Sequence, residues 1–416
     1  MMSPSKLWKL GHRELFQRRL PHGLLGWRYL WPGRDERVRA HRALWWDSGT
    51  RWPRPLWLLL EGWHWLCWVG FWAGYASWRM ERAQRDKPSA AADWPPGSGW
   101  RVLYLALVWC IPPRDSFRFG LHRHPDTALD YVFDHEVGAW HRRRSLPLGW
   151  HRSSRELLQN KPRLGEFLGA KGIPMTPTLA VVSRRSPHRS LASTLSGPAP
   201  VFCKMQSGNQ GLGAFAAWRE GDGLRGQTFS GRPLPDTEAV ETAWHDLLKL
   251  DDALIQPRLG NHPCLASLGL QDEAITVRWI SEWREGQLAC LSAVLEVPTH
   301  RAEKDGSTLY TILPIEAVTG RVLSWPTTPG LTREAREWVD RLERTFHERG
   351  LETLPYWPEL ADWTAQAHAA FPDIYAIAWD WVITPEGPVL LEGNTGWGAG
   401  IPQMLCGGFL RVNDSG

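Results

Sequence analysis

The sequence predicts a mixed α+β fold in two or three domains, and three observations carry that expectation. Its 416 residues exceed what one ordinary hydrophobic core organises. Helix-period and strand-like segments interleave through the whole second half. With 43% hydrophobic and 22% charged residues, the composition is that of a folded globular chain rather than a disordered or fibrous one.

The formal charge is +4, from 48 basic and 44 acidic residues. That balance is too small to argue for nucleic acid as a partner, while small anionic ligands stay open. Six cysteines are scattered without the close pairs of a zinc knuckle or redox motif. The basic N-terminus has no apolar core followed by a small-residue cleavage site. A reducing cytoplasm is therefore the expected location.

Tryptophan is over-represented: 28 residues, half of them within the first 100. They concentrate in Leu56 to Trp78, where Glu61 and His64 are the only acidic or basic side chains and arginines stand at 51, 54, 79 and 82. The stretch is long enough to span a bilayer, but tryptophan favours the membrane interface over its centre. Three placements compete: a helix buried with Trp65, Trp68 and Trp72 on one face, an interfacial helix giving peripheral membrane association through residues 56–78, and a span.

A breaker cluster from Asp93 to Gly99 ends this Trp- and Arg-rich, mostly helical first region near residue 95. The charged run from Asp126 to Arg144 reads as a helix with a solvated face. Arg155 to Lys171 reads as one helix, followed by Gly172-Ile173-Pro174 and the strand-like TPTLAVV. Val201 to Lys204 is a strand feeding a glycine-rich turn. Glu238 to Leu250 is a helix, and ALIQ, ITVRWIS and LACLSAVLEV are strands.

Two constellations carry chemistry. The first is Lys204, leaving a strand and followed by Ser207 and by glycines at 208, 211 and 213. Glycines let backbone amides approach an anion closely, and the lysine adds a fixed positive charge, an arrangement suited to phosphate. No GK[ST] follows, so this is not the Walker spacing, and a glycine-rich turn alone is more often a hairpin.

The second runs from Trp379 to Asn394. Pro385 to Gly387 is a turn between two apolar runs, so the chain doubles back. Asp380 then falls within about one residue of lying opposite Glu392, while Glu392 and Asn394 share a face because side chains alternate. Adjacent carboxylates repel unless they share a proton or a hard cation. All-oxygen ligands suit Mg²⁺, which takes one or two carboxylates plus substrate phosphates. The bland alternative is an exposed hairpin with its acids in water.

These residues, with Asn160-Lys161, GIPMTP, the strand into Gln256-Pro257-Arg258-Leu259 and the terminal D-x11-E-x-N order, resemble the ATP-grasp superfamily. SFRFGLHR, IQPRLGNHPCLASLG, ITVRWIS and WDWVITPEGPVLLEGNTGW resemble most its sugar-transfer associated group, found with exopolysaccharide genes, over about residues 100 to 406. The resemblance implies two α+β subdomains clasping ATP. It divides the chain into the helical region 1–95, a pre-ATP-grasp segment with the start of the ATP-grasp fold at 96–200, an ATP-binding subdomain at 201–260 and a metal-bearing subdomain at 261–416.

The resemblance also implies roles. Lys161 and Lys204 hold the α- and β-phosphates, the turn through Ser207, Gly208, Gly211 and Gly213 covers the triphosphate, and Gln256, Arg258 and Leu259 meet the adenine edge. Asn261 or His262 lies near the ribose, although the following Pro263 favours a structural role for His262. Asp380, Glu392 and Asn394 bind Mg²⁺, and Arg278 neutralises the transferred phosphoryl group. The implied reaction joins a small-molecule carboxylate to an amine or other nucleophile through an acyl phosphate. Phosphotransfer and a non-catalytic nucleotide-binding scaffold are its rivals. The segment from Leu295 to Ser307 departs from the group, which carries an arginine and an Asp-Asn pair there; Arg301 and Lys304 are the available substitutes.

Overall fold

The computed structural model describes residues 12, 35–48, 53–85, 94–149, 151–186, 188–195, 197–207, 213–270, 273–301, 308–323 and 333–411. The chain divides into two compact units: one of 1–147 with 327–333 and 396–416, the other of 148–326 with 334–395.

The described part of the first unit is helical. It holds α1 (Glu36–Ser48), α2 (Arg54–Cys67), α3 (Ala73–Arg85), α4 (Ser98–Trp109), α5 (Pro113–Arg118) and α6 (Val137–Ser145). A π turn, Trp68–Trp72, joins α2 to α3. Of the three tryptophans expected on one face, Trp68 is buried while Trp65 and Trp72 are half-buried. Among the described residues no helix is long and apolar enough to cross a membrane.

The run from Asp126 to Arg144 is not one solvated helix. A 3-10 turn (Pro125–Asp130) and an extended stretch precede α6. Glu136 turns inward to accept from Phe133 N at 3.1 Å and to meet buried His41 Nδ1 at 2.8 Å. A buried carboxylate with two such partners stabilises a bend that an exposed one would leave to solvent.

The second unit contains both sheets. α7 (Arg152–Gln159) and α8 (Lys161–Gly169) replace the single helix expected from Arg155 to Lys171. The break has a local cause. Pro162 has no N–H to carry the α7 ladder on to Leu158 O, and Asn160 leaves the helical conformation to become the N-cap of α8, accepting from Arg163 N at 3.2 Å.

The strands are β1 (Ala180–Val182), β2 (Val201–Met205), β3 (Phe215–Glu220), β4 (Gly223–Thr228), β5 (Pro233–Leu234), β6 (Ala253–Pro257), β7 (Thr276–Arg284), β8 (Gln287–Arg301), β9 (Thr308–Ile315), β10 (Ala376–Thr384) and β11 (Gly387–Asn394). They form two antiparallel sheets, ordered β1-β6-β2-β3-β4-β5 and β11-β10-β7-β8-β9. The remaining helices of this unit are α9 (Leu191–Thr194), α10 (Thr237–Leu250), α11 (Arg333–Glu348, the first residue apart) and α12 (Trp357–Ala369).

Each sheet has its own core. α10, capped by Asp236 accepting from Ala239 N at 2.8 Å, lays Val240, Trp244, Leu247 and Leu248 onto Val201, Cys203, Phe215 and Ile255. The five-stranded sheet buries Trp279, Trp379 and Trp381 with Leu164 and Leu168 of α8 and Trp357 and Leu360 of α12. All nine residues of β10 are buried, and Asp380 is its one charged side chain. The two sheets with their helices make the α+β architecture expected from the sequence.

Candidate active site

The site begins with a register shift. From Thr384↔Gly387 to Trp381↔Leu390 the β10–β11 hairpin pairs in strict antiparallel order, and then Asp380 pairs with Glu392, leaving Leu391 bulged. In an unbroken ladder Asp380 would face Leu391, and Glu392 would point to the other side of the sheet. The bulge therefore supplies the one residue by which a simple hairpin misses.

On the other flank, Asp380 pairs with Arg278 of β7. A row Glu392–Asp380–Arg278 thus crosses three adjacent strands on one face, with side chains close enough to interact directly. Arg278 grips Asp380 in a fork, Nε to Oδ1 at 2.8 Å and Nη2 to Oδ2 at 3.0 Å. Its third nitrogen, Nη1, lies 2.9 Å from Glu296 Oε1 on β8. Planar bidentate pairing holds the guanidinium at a fixed angle in a way lysine does not reproduce.

Asn394, two residues beyond Glu392, donates from Nδ2 to Glu392 Oε1 at 3.1 Å and to Asp380 Oδ2 at 3.3 Å. Lys161 Nζ sits 3.3 Å from Glu392 Oε2, with its side chain 8% exposed. A lysine in the first turn of a helix opposes the helix dipole. Its charge there therefore serves the carboxylate, not the helix.

The glycine between Glu392 and Asn394 has a packing reason. A Cβ on Gly393 would meet Trp379 Cζ3 at 2.6 Å and Leu158 Cδ2 at 2.9 Å. At Gly213, φ is +72° and a Cβ would stand 3.2 Å from Leu250 Cδ1, so the exit of the glycine-rich turn also demands glycine.

Burial and charge act together on the titrating groups. Burial raises Asp380, against the opposing pull of Arg278. Burial also works to raise Glu392, but Lys161, the Asn394 amide and Lys204 outweigh it and hold the carboxyl below its ordinary range. Burial raises Glu296 against Arg278. Lys204, half-buried on β2, is lowered to about 8 by burial, with Glu392 and Asp380 opposing and Lys161 adding to the drop.

The structure thus brings Lys161, Lys204, Arg278, Asp380, Glu392 and Asn394 to one locus. Gln206 Nε2 lies 3.4 Å from Asn160 Oδ1 and ties the Lys204 strand to the start of α8. Ser207 N donates to Asp251 Oδ2 at 3.0 Å. Gly208 and Gly211 fall outside the described residues, as does Lys304.

The residues expected around a base are more varied in their engagements. Gln256 is buried on β6 and its amide reaches Thr176 O at 3.4 Å. Arg258 N donates to Pro200 O at 3.0 Å, and Arg258 and Leu259 are half-buried. Asn261 has both ends of its amide in the backbone, donating to Glu273 O at 2.9 Å and accepting from Ile275 N at 2.8 Å. His262 Nδ1 accepts from Cys264 N at 3.3 Å, which closes a turn.

Sequence reasoning missed Glu296. Its signal is present: an acid near the end of the apolar run LACLSAVLEV, on the strand that pairs with the one carrying Arg278. Arg301 is paired with Glu273 at 2.7 Å and donates to Phe229 O at 3.3 Å.

Among the described residues no group of three or more His, Cys, Asp and Glu side chains is arranged for a metal. Two carboxylates and one amide remain, an all-oxygen set once the amide presents its oxygen. That donor set fits Mg²⁺ completed by phosphate oxygens. The three cations suit the phosphates themselves.

No curated protein matches the chain. Solved structures with a similar chain course include D-alanyl-alanine synthetase A from Vibrio cholerae O1 biovar eltor, at 12% identity and a TM-score of 0.33, covering 62% of this chain and 60% of that one. VanG D-Ala:D-Ser ligase from Enterococcus faecalis follows at 12% and 0.32, covering 59% and 54%. N5-carboxyaminoimidazole synthase from Aspergillus clavatus, in complex with ADP and 5-aminoimidazole ribonucleotide, stands at 12% and 0.31, covering 58% and 46%. The chain spans about half to three fifths of the length of these proteins. The sugar-transfer associated ATP-grasp family matches residues 142–413, and the chain belongs to that family.

Proposed function

We propose that the protein is an ATP- and Mg²⁺-dependent ligase that activates a small-molecule carboxylate as an acyl phosphate and joins it to an amine or another nucleophile. The observation that carries the reading is the convergence of three cations, Lys161, Lys204 and Arg278, with the Asp380–Glu392–Asn394 set on one face of the five-stranded sheet. In this reading residues 201–260 form the lobe with the phosphate loop and 261–416 the lobe with the metal ligands. A need for ATP favours a cytoplasmic location, and the family name favours a place in polysaccharide or secondary metabolite biosynthesis.

Phosphoryl transfer asks mainly for positioning and charge stabilisation. Lys161 and Lys204 hold the α- and β-phosphates. Mg²⁺, held by Asp380, Glu392 and Asn394, supplies further charge neutralisation when bound. Asp380 and Glu296 fix the guanidinium of Arg278, which presents its donors to the γ-phosphoryl group without reorganising. The substrate carboxylate attacks the γ-phosphorus and ADP leaves. The amine then attacks the acyl carbon, phosphate leaves, and the amine gives up a proton.

The site is balanced for this exchange. Each carboxylate is compensated by a cation of the protein, and each of those cations has phosphate as its alternative partner. The test is turnover of Mg-ATP with pooled carboxylates and amines, resolving ADP, AMP, free phosphate and phosphorylated products. ADP and free phosphate that depend on both pools and vanish in Glu392→Ala support the ligase. Phosphate retained on an organic acceptor indicates a phosphotransferase, and ATP binding without turnover indicates a nucleotide-binding scaffold.

A further inference from the structure

The helix from Arg54 to Arg85 has two unlike faces. Inward it buries Trp57, Leu60, Trp68 and Ala73. Outward it exposes Leu59 (73%), Trp63, Leu66, Phe71, Tyr75 and Trp78, with no charged side chain on that face until Arg79. The spacing is three or four residues except between Leu66 and Phe71, where it is five. The π turn at Trp68–Trp72 absorbs that extra residue and keeps the apolar face in phase. On α4, Trp100 (78%) and Tyr104 are exposed as well. A continuous apolar face of this kind marks an interaction surface.

Beside it lies an open groove of about 400 Å³, lined by Trp68, Trp72, Met80 and Pro113 and flanked by Arg79 and Arg114. Both arginines are exposed, and among the described residues neither donates a hydrogen bond or stands within ion-pair distance of a carboxylate. An apolar trough with two exposed guanidiniums at its rim is complementary to an amphiphile with an anionic head. The aromatic residues on the outer face are those that favour the bilayer interface.

We propose that this surface docks the protein onto an anionic bilayer, with one acyl chain of an anionic phospholipid in the groove and Arg79 and Arg114 on its phosphate. The apolar face alone would adsorb to any bilayer, and the arginines alone would be screened by salt. Together they give the two signals that stable peripheral attachment requires. With Trp57, Trp68 and Ala73 packed against Trp45, Ala106 and Cys110, only the outer face is open to a bilayer, and the helix docks in the plane of the surface.

The experiment is sedimentation of the full chain with vesicles of phosphatidylcholine alone or mixed with phosphatidylglycerol. Binding is expected to be tighter to the anionic vesicles. Arg79→Gln with Arg114→Gln should weaken anionic-vesicle binding by about 30-fold, the effect of removing two arginines near a charged surface, and leave neutral-vesicle binding unchanged. Leu59→Asn with Leu66→Asn should weaken both. Ala76→Trp, which fills the groove and leaves the outer face intact, should reduce the preference for anionic vesicles. Unchanged thermal melting shows that the variants are folded. Three results overturn the proposal: equal binding to both compositions, anionic binding that survives the arginine pair's replacement, or concentration-dependent self-association with no vesicle binding.

Discussion

Asp380 stands directly opposite Glu392 because Leu391 is bulged out of the β10–β11 ladder. Period-two alternation makes this placement sensitive to register: with one more residue between Leu391 and Glu392, the second carboxylate turns to the far face of the sheet. Inserting one alanine there should therefore abolish nucleotide turnover while the far-ultraviolet circular dichroism remains that of a folded α+β protein. Turnover retained in the insertion would show that the paired carboxylates are not the working arrangement.

The two carboxylates should separate in their cost to stability. Asp380 has an 8% exposed side chain and carries the Arg278 fork. Asp380→Asn leaves the guanidinium with Glu296 as its ion-pair partner and should lower stability by about 2 kcal/mol. Glu392 is 30% exposed and pairs with Lys161, so Glu392→Gln should cost under about 1 kcal/mol. Both should reduce turnover by roughly 100-fold or more. Denaturant melts with turnover assays separate the two effects.

Lys204 is lowered to about 8 from an ordinary 10.5, chiefly by burial. A folded-state value below the unfolded one means that folding disfavours the proton on Nζ, so the cost to stability is present below pH 8 and is relieved as pH rises towards 10.5. Phosphate reverses the preference, because it needs the protonated amine. ATP affinity should fall as pH rises past about 8, and ATP binding near that pH should take up a proton, seen as a dependence of the calorimetric heat on buffer. Lys204→Met should remove the proton uptake. An affinity unchanged between pH 7 and 9.5 would contradict the assignment.

Gly393 is fixed by packing rather than by chemistry. Gly393→Ala places a methyl against Trp379 and Leu158 and should destabilise the protein by about 1–3 kcal/mol. A destabilisation well below this range would show that the indole relaxes.

Much of this was legible in the sequence, and the reasons differ by residue. Asp380, Glu392 and Asn394 could be read because a Pro-Glu-Gly turn fixes a hairpin and local pairing then aligns the strands. The bulge could not, because an inserted residue is recognisable only against its partner strand. Arg278 was visible as a charge in an apolar strand. Glu296 carries the same signal, but its role depends on the pairing of β7 with β8, which alternation within one strand does not specify. The division of α7 from α8 was readable at Pro162, where periodicity on both sides obscured it. Asn261 was expected near a ribose; its amide is held by the backbone of Glu273 and Ile275, a closure that no local pattern announces. The inward turn of Glu136 depends on His41, 95 residues away.

The most direct test of the account is a calorimetric titration of ATP, with and without Mg²⁺, into the unaltered protein, Glu392→Ala and Lys204→Met. The account predicts binding that requires Mg²⁺ in the unaltered protein and is weakened at least tenfold, about 1.4 kcal/mol, by each substitution. Binding of equal strength in all three proteins, or binding indifferent to Mg²⁺, would contradict the assignment of this locus as the nucleotide site.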